Sequence, residues 1–110
     1  MAMNDKYAEK DPDRSEIDAL EGPTIVEFGA PWCGFCIAGQ KPLATAFAAY
    51  PKVRHIKIED GRGRRLGRSF KVKLWPTLIF LNNGTEVARL VRSTDAKAIG
   101  EALQQIAGGP

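Results

Sequence analysis

Apolar positions recur along the chain in two rhythms, one of period near 3.6 and one of period 2, and the switches between them divide it into elements. From Asp11 to Gly22 the pattern predicts a short first helix, with Asp11 or Asp13 as N-cap, Pro12 early, Glu16 three residues after Asp13, and Gly22 as a stop. The run "PTIVEFGA", Pro23 to Ala30, concentrates Ile25, Val26 and Phe28 before Gly29 and Pro31 break it, which predicts a central strand. Helix formers then extend from Gly34 to Tyr50, with an apolar face through Leu43, Phe47 and Tyr50. Pro42 removes one backbone donor from that helix and predicts a kink near its second turn. "VRHIKIE", Val53 to Glu59, alternates strictly, as a strand with one buried face does. A basic stretch follows and predicts a loop with a short helix. Pro76–Leu81 and Glu86–Val91 flank Asn83-Gly84, a strong hairpin signal. Thr94-Asp95 can cap a last helix whose apolar positions are Ile99, Leu103 and Ile106.

The order helix, strand, helix, strand, helix, strand, strand, helix predicts an α/β fold. Its central mixed β-sheet holds parallel strands and then a C-terminal antiparallel hairpin, with helices on both faces. A length of 110 residues fits a single domain, 1–110, with 1–10 and 107–110 expected to fray. Hydrophobic residues at 44% and charged residues at 26% exclude a largely disordered chain. The apolar runs are a handful of residues long, so no membrane crossing is expected. The first twenty residues carry many charges and no apolar signal-like core, which leads us to expect a cytoplasmic protein. No glycine-rich phosphate loop follows a strand, so nucleotide chemistry has no candidate site.

The only two cysteines stand three residues apart in "APWCGFC". They could form a redox couple, half of a metal site, or a pair of core thiols. As a permanent staple they would close so short a loop that the unfolded chain would be little constrained. As zinc ligands they would need partners, and one distant histidine cannot complete a tetrahedral site within one chain. As a redox couple they are well spaced. Cys33 is the last residue before a helix and Cys36 lies one turn inside it, on the same face, near the ~4.4–6.8 Å Cα separation that a disulfide requires. Unpaired N–H groups at the helix start favour a thiolate, and Cys33, at the tip, benefits most. That makes Cys33 the attacking sulfur and Cys36 the resolving one.

The sequence resembles the thioredoxin family over nearly its whole length. "VEFGAPWCGFC" is similar to that family's strand, tryptophan and Cys-Gly-x-Cys, "WPTLIFLNNGTEVARLV" to its cis-proline strand and hairpin, and "DAKAIGEALQQI" to its last helix. The resemblance implies reduction of protein disulfides by dithiol–disulfide exchange, with Cys33 as nucleophile and Cys36 releasing the product. It implies that Glu27 relays a proton to the second cysteine, and that Pro76 follows a cis bond with the Trp75 backbone pairing to an extended substrate. The substrate groove would then run along Trp32, Gly34, Phe35, Trp75, Pro76, Thr77 and Arg92. No cofactor beyond the Cys33–Cys36 couple and no metal is implied. The expected partners are disulfide-containing substrate proteins and a thioredoxin-reductase-type regenerating enzyme, acting on a monomer.

Several residues depart from the family's pattern. Gly34-Phe35 replaces the usual Gly-Pro between the cysteines, which predicts a more oxidising couple. Gly29 stands where a second tryptophan is usual, Trp75 replaces an aliphatic residue, Pro42 falls one position late, and Arg92 replaces a glycine. Arg62, Arg64, Arg65, Arg68, Lys71 and Lys73 form a basic segment without an acid, which could steer an acidic partner. Nucleic acid is not expected, because aromatic interleaving is missing. Cys-Gly-Phe is also similar to the start of the single-cysteine glutaredoxin motif, which leaves a glutathione-dependent or iron–sulfur-bridging protein as the alternative, along with a disulfide oxidase or isomerase. Asn83-Gly84-Thr85 reads as a turn rather than a glycosylation site, and His55 as a surface or packing residue.

Overall fold

The structure, a computed structural model, describes residues 3–107. Its elements follow the expected order: α1 (Arg14–Asp18), β1 (Pro23–Gly29), α2 (Gly34–Phe47), β2 (Arg54–Glu59), α3 (Arg65–Ser69), β3 (Thr77–Asn82), β4 (Thr85–Val91) and α4 (Ala96–Ala107). The four strands form one sheet in the order β2-β1-β3-β4. β1 pairs with β2 in parallel, and with β3 antiparallel. Helix α2 is the crossover that a parallel pair requires, and it starts where β1 ends.

Side chains of the central strands β1 and β3 alternate between two buried layers, so the middle of the sheet is covered on both faces, while β4 is largely exposed. Ile25, Leu78 and Phe80 pack with Leu43 and Phe47 of α2 and with Ile99, Leu103 and Ile106 of α4. Val26, Phe28, Ile58, Ile79 and Leu81 pack on the opposite face with Ile17 of α1, Leu66 of α3 and Phe70. Burying each of these large side chains contributes about 1.5–3 kcal/mol. Glu27 lies between Val26 and Phe28 and therefore points to the α2 side, the same side as the cysteines.

Local chemistry explains the element ends. The Asp13 N–H donates to Glu16 Oε1 at 3.0 Å and starts α1. The Asp95 carboxylate accepts from the Lys97 N–H at 2.9 Å and starts α4. Asn83 and Gly84 both have positive φ, 51° and 78°, as a two-residue hairpin with two left-handed positions requires. α2 continues through Pro42 as one helical segment to Phe47, ending three residues before the expected Tyr50.

Two expectations change. β2 alternates, yet neither of its faces is open: Ile56 and Ile58 meet one layer, while His55 and Lys57 are buried beneath α2. The physical reason is that these polar residues find hydrogen-bond partners inside, which strict alternation cannot reveal. The opening segment expected to fray is also tied down where it is described. The Ala8 N–H donates to Lys57 O at 2.8 Å and the Asn4 N–H to His55 Nδ1 at 2.7 Å, so residues 4–8 run along β2. At the other end Ala107 closes α4, and the expectation for 108–110 lies outside the described residues.

Candidate active site

The end of β1 and the start of α2 deliver both cysteines to one place. Cys33 is the N-cap of α2, and its Sγ accepts the Cys36 N–H at 3.2 Å. That bond offers a backbone donor to a sulfur anion at the positive end of a helix. Both thiols are unpaired, and Cys33 at 8% exposure is more accessible than Cys36 at 2%. Burial, together with its contact with Cys33, pushes the Cys36 thiol up to about 12. The two thiols thus sit in different environments one helical turn apart.

Beneath the cysteines lies a largely buried polar network. Glu27 is 1% exposed, and both its oxygens accept hydrogen bonds: Oε1 from His55 Nε2 at 2.8 Å and Oε2 from Gln40 Nε2 at 2.7 Å. Because His55 Nδ1 accepts from the Asn4 N–H, the ring carries its proton on Nε2 and donates to the carboxylate. Lys57 Nζ donates to Gln40 Oε1 at 3.1 Å, which turns the Gln40 amide nitrogen toward Glu27. Gln40 Nε2 also reaches Cys36 O at 3.2 Å, linking the carboxylate to the turn that carries Cys36. His55 and Gln40, the latter oriented by Lys57, therefore hold the Glu27 carboxylate in place below Cys36.

Above the cysteines lies an open, apolar groove. Trp32, 71% exposed, meets Trp75 edge to face with ring centroids 5.5 Å apart. Trp75, half-buried, packs against Ala30, Cys33 and Cys36 and donates its Nε1–H to Asp60 Oδ2 at 2.9 Å. The Trp75–Pro76 peptide bond is cis, and Pro76 is buried against Gly39 of α2. Thr77 is buried at the start of β3, its hydroxyl donating to Leu74 O at 2.6 Å. Gly34 and Phe35 are exposed beside Cys33, and Arg92 lies across the groove with its guanidinium 4.2 Å from the Phe35 ring centroid.

The thioredoxin family model matches residues 7–105. The chain belongs to the thioredoxin family. Its fold is shared with thioredoxin 2 from Pseudomonas aeruginosa in its reduced form, at a TM-score of 0.85 and 55% identity over 96% of this chain and 98% of that one. Thioredoxin C-3 of Corynebacterium nephridii is 35% identical over 62% of this chain and 47% of its own length. Protein disulfide-isomerase erp38 of Neurospora crassa is 43% identical over 58% of this chain, which spans only 18% of that protein.

Within this thioredoxin-family site, His55, Asp60 and Tyr7 hold places that the sequence alone does not give them. The sequence reads His55 as a surface or packing residue. The parallel register that sets His55 beside Ile25 and Lys57 beside Glu27 puts both on the network's face, and two polar residues alternating into a covered layer were the available signal. Asp60 anchors the Trp75 indole and accommodates itself against Gly67, where a side chain would collide with its carboxylate. Nothing short of the tertiary structure indicates that contact. Tyr7 comes from the segment expected to fray. A Cβ on Gly29 would fall 2.6 Å from Cys36 Sγ and 3.3 Å from the Tyr7 hydroxyl, so the missing side chain at 29 makes room for both. Lys57 Nζ lies 4.7 Å from the Tyr7 ring centroid, which holds the ring over this corner.

The basic segment is more dispersed than its composition suggests. Arg64 is engaged within the molecule, 3.5 Å from Asp11 and 3.8 Å from Glu59, while Arg62, Arg65, Arg68, Lys71 and Lys73 are exposed. Among the described residues, no cluster of three or more His, Cys, Asp or Glu side chains could hold a metal ion.

Proposed function

We propose that this protein is a thiol–disulfide oxidoreductase that reduces disulfides of protein substrates through Cys33 and Cys36. The observation that carries the reading is Cys33 at the start of α2, its sulfur facing the Cys36 N–H at 3.2 Å. The Cys33 thiolate attacks one sulfur of an extended substrate held along Trp75 and Pro76. A mixed disulfide forms and the first substrate sulfur leaves as a thiolate. Cys36 gives its proton to Glu27 and attacks Cys33 Sγ, which expels the second substrate sulfur. Two electrons have then passed to the substrate, which takes up two protons, and Cys33–Cys36 is the oxidised product. A base is needed because Cys36 is held as a thiol at neutral pH.

The regenerating enzyme is of the thioredoxin-reductase type in the same proposal, and the working unit is a monomer in the cytoplasm. Its support is the restriction of cysteine to the Cys33–Cys36 pair, as expected in a reducing compartment. The exposed arginines and lysines at 62–73 would favour an acidic partner. The deciding experiment equilibrates the couple with glutathione buffers and follows tryptophan fluorescence. A potential at or below about −250 mV fits a reductase, whereas one above about −200 mV reverses the direction and argues for an oxidase or isomerase.

A further inference from the structure

Arg92 has a backbone that arginine does not favour. Its φ is +56°, in the left-handed region where a Cβ is unwelcome and glycine is at ease. The position is nonetheless closely held. The Arg92 N–H donates to Pro76 O at 2.8 Å, Nε donates to Trp75 O at 3.0 Å, and the guanidinium lies over Phe35 at 4.2 Å. Among the described residues, no carboxylate lies within ion-pair distance of it, and neither Nη group has a hydrogen-bond partner. The side chain is exposed. A strained backbone retained at a groove, carrying an unpaired charge braced by an aromatic ring and a carbonyl, is a functional arrangement rather than a packing one.

We infer that Arg92 selects substrates by charge: it binds a carboxylate side chain of the substrate segment flanking the attacked disulfide. The inference rests on the proposed reductase reading and on Trp75 as the residue that pairs with substrate main chain. Arg92 Nε is bonded to the same Trp75 carbonyl, so the guanidinium stands beside whatever segment docks there. Its contact over Phe35 and the Nε bond to Trp75 O hold the guanidinium in place, which leaves the two Nη groups as a fork for a carboxylate. An aspartate or glutamate near the reacting cysteine meets an ordered charge, while a lysine there is repelled. Trp32, Trp75 and the exposed Val91 supply apolar contact without charge preference, so the discrimination falls on one residue.

The test uses the pre-reduced protein and a set of disulfide-bonded peptides identical except for Glu, Gln or Lys beside the attacked cysteine. Single-turnover reduction is followed by tryptophan fluorescence. The wild type should reduce the Glu peptide about three- to fivefold faster than the Gln peptide, the scale of one partly exposed ion pair, and the Lys peptide slowest. Arg92→Gly relieves the backbone and so tests the charge without endangering the fold. It should bring the three peptides to within about 1.5-fold of one another, and Arg92→Glu should reverse the order. Equal rates for all three peptides in the wild type, or an acid preference that survives in Arg92→Gly, overturns the inference. If Arg92→Gly loses only the reduction of oxidised glutathione while the peptide order persists, the guanidinium serves a small anionic thiol and the protein-substrate assignment is wrong. If no peptide is reduced by the wild type, the reductase reading fails first and takes the inference with it.

Discussion

The two sides of the cysteine pair are built on opposite principles. Below it, Glu27, His55 and Lys57 are polar and buried, and with the partly exposed Gln40 they form one hydrogen-bonded network. Above it, Trp32, Phe35 and Trp75 are apolar and open to solvent or only half covered. A buried charge is tolerable only where its partners are fixed, so the lower side must be rigid. An open apolar surface gains by accepting many shapes, so the upper side need not be. In the function proposed above, proton handling falls to the lower face of one helix start and substrate choice to the upper, so substitutions on the two sides should fail in different ways.

The largest effect removes what the two sides share. Cys33→Ser should reduce disulfide-exchange activity to background, whereas Cys36→Ser should still attack substrate and accumulate a mixed disulfide visible by mass spectrometry. Recovery of normal turnover in Cys33→Ser would contradict the whole assignment. Next comes the lower side. Glu27→Gln should slow resolution of the mixed disulfide by about 10²-fold while leaving the first attack unchanged. An equal slowing of both steps in rapid-mixing experiments would mean that Glu27 only supports the fold.

Gly29→Ala sharpens the comparison with a purely steric change. The added methyl meets Cys36 Sγ at 2.6 Å, so the loss of stability should be about 1–3 kcal/mol by urea titration. An unaltered midpoint would show that Cys36 and Tyr7 yield easily. A further contrast lies in pH. The Cys36 thiol is raised in the folded protein to about 12, chiefly by burial, while in the unfolded chain it titrates near its ordinary value of about 8.5. Above that value the unfolded state loses a proton that the folded state keeps, so the reduced protein should lose stability steadily as pH rises from about 8.5 toward 12. Alkylation at pH 8 should modify Cys33 and spare Cys36, and equal labelling of the two would remove the distinction between them.

The smallest effect belongs to the upper side. Trp75→Phe deletes only the indole bond to Asp60 and part of the aromatic contact, at a cost of about 1 kcal/mol. Rates toward different substrates should shift while the pH profile of resolution stays fixed. A displaced pH profile would join the two sides that the structure separates.

Much of this was legible in the sequence because it rests on local rules. The hairpin followed from Asn83-Gly84, the helix caps from Asp13 and Asp95, and the cysteine geometry from three-residue spacing at a helix start. What escaped depends on neighbours distant in the chain. His55 looks like any exposed residue on an alternating strand until the Asn4 N–H, 51 residues away, and Glu27, 28 residues away, occupy its two nitrogens. Tyr7 and Asp60 escaped for the same reason: their partners come from other elements, and no periodicity encodes them. Gly29 was noticed as a departure, but its meaning, space for a sulfur and a phenol, needed both of those groups in place.

The hairpin turn has a consequence for how the molecule ages. Asparagine followed by glycine is the pair most prone to cyclise and hydrolyse to aspartate and isoaspartate, because the glycine nitrogen can reach the asparagine side-chain carbonyl carbon. Here the Asn83 side-chain oxygen accepts the Gly22 N–H at 2.8 Å, and the Asn83 N–H donates back to Gly22 O at 3.1 Å. Gly84 in turn sits so close to the Asp18 backbone that no side chain would fit. Gripped on both sides, the amide cannot swing into the cyclising geometry while the fold is intact. Peptide mapping after long storage should therefore find asparagine at 83 largely preserved in the folded protein, long after a free peptide of the same sequence has deamidated.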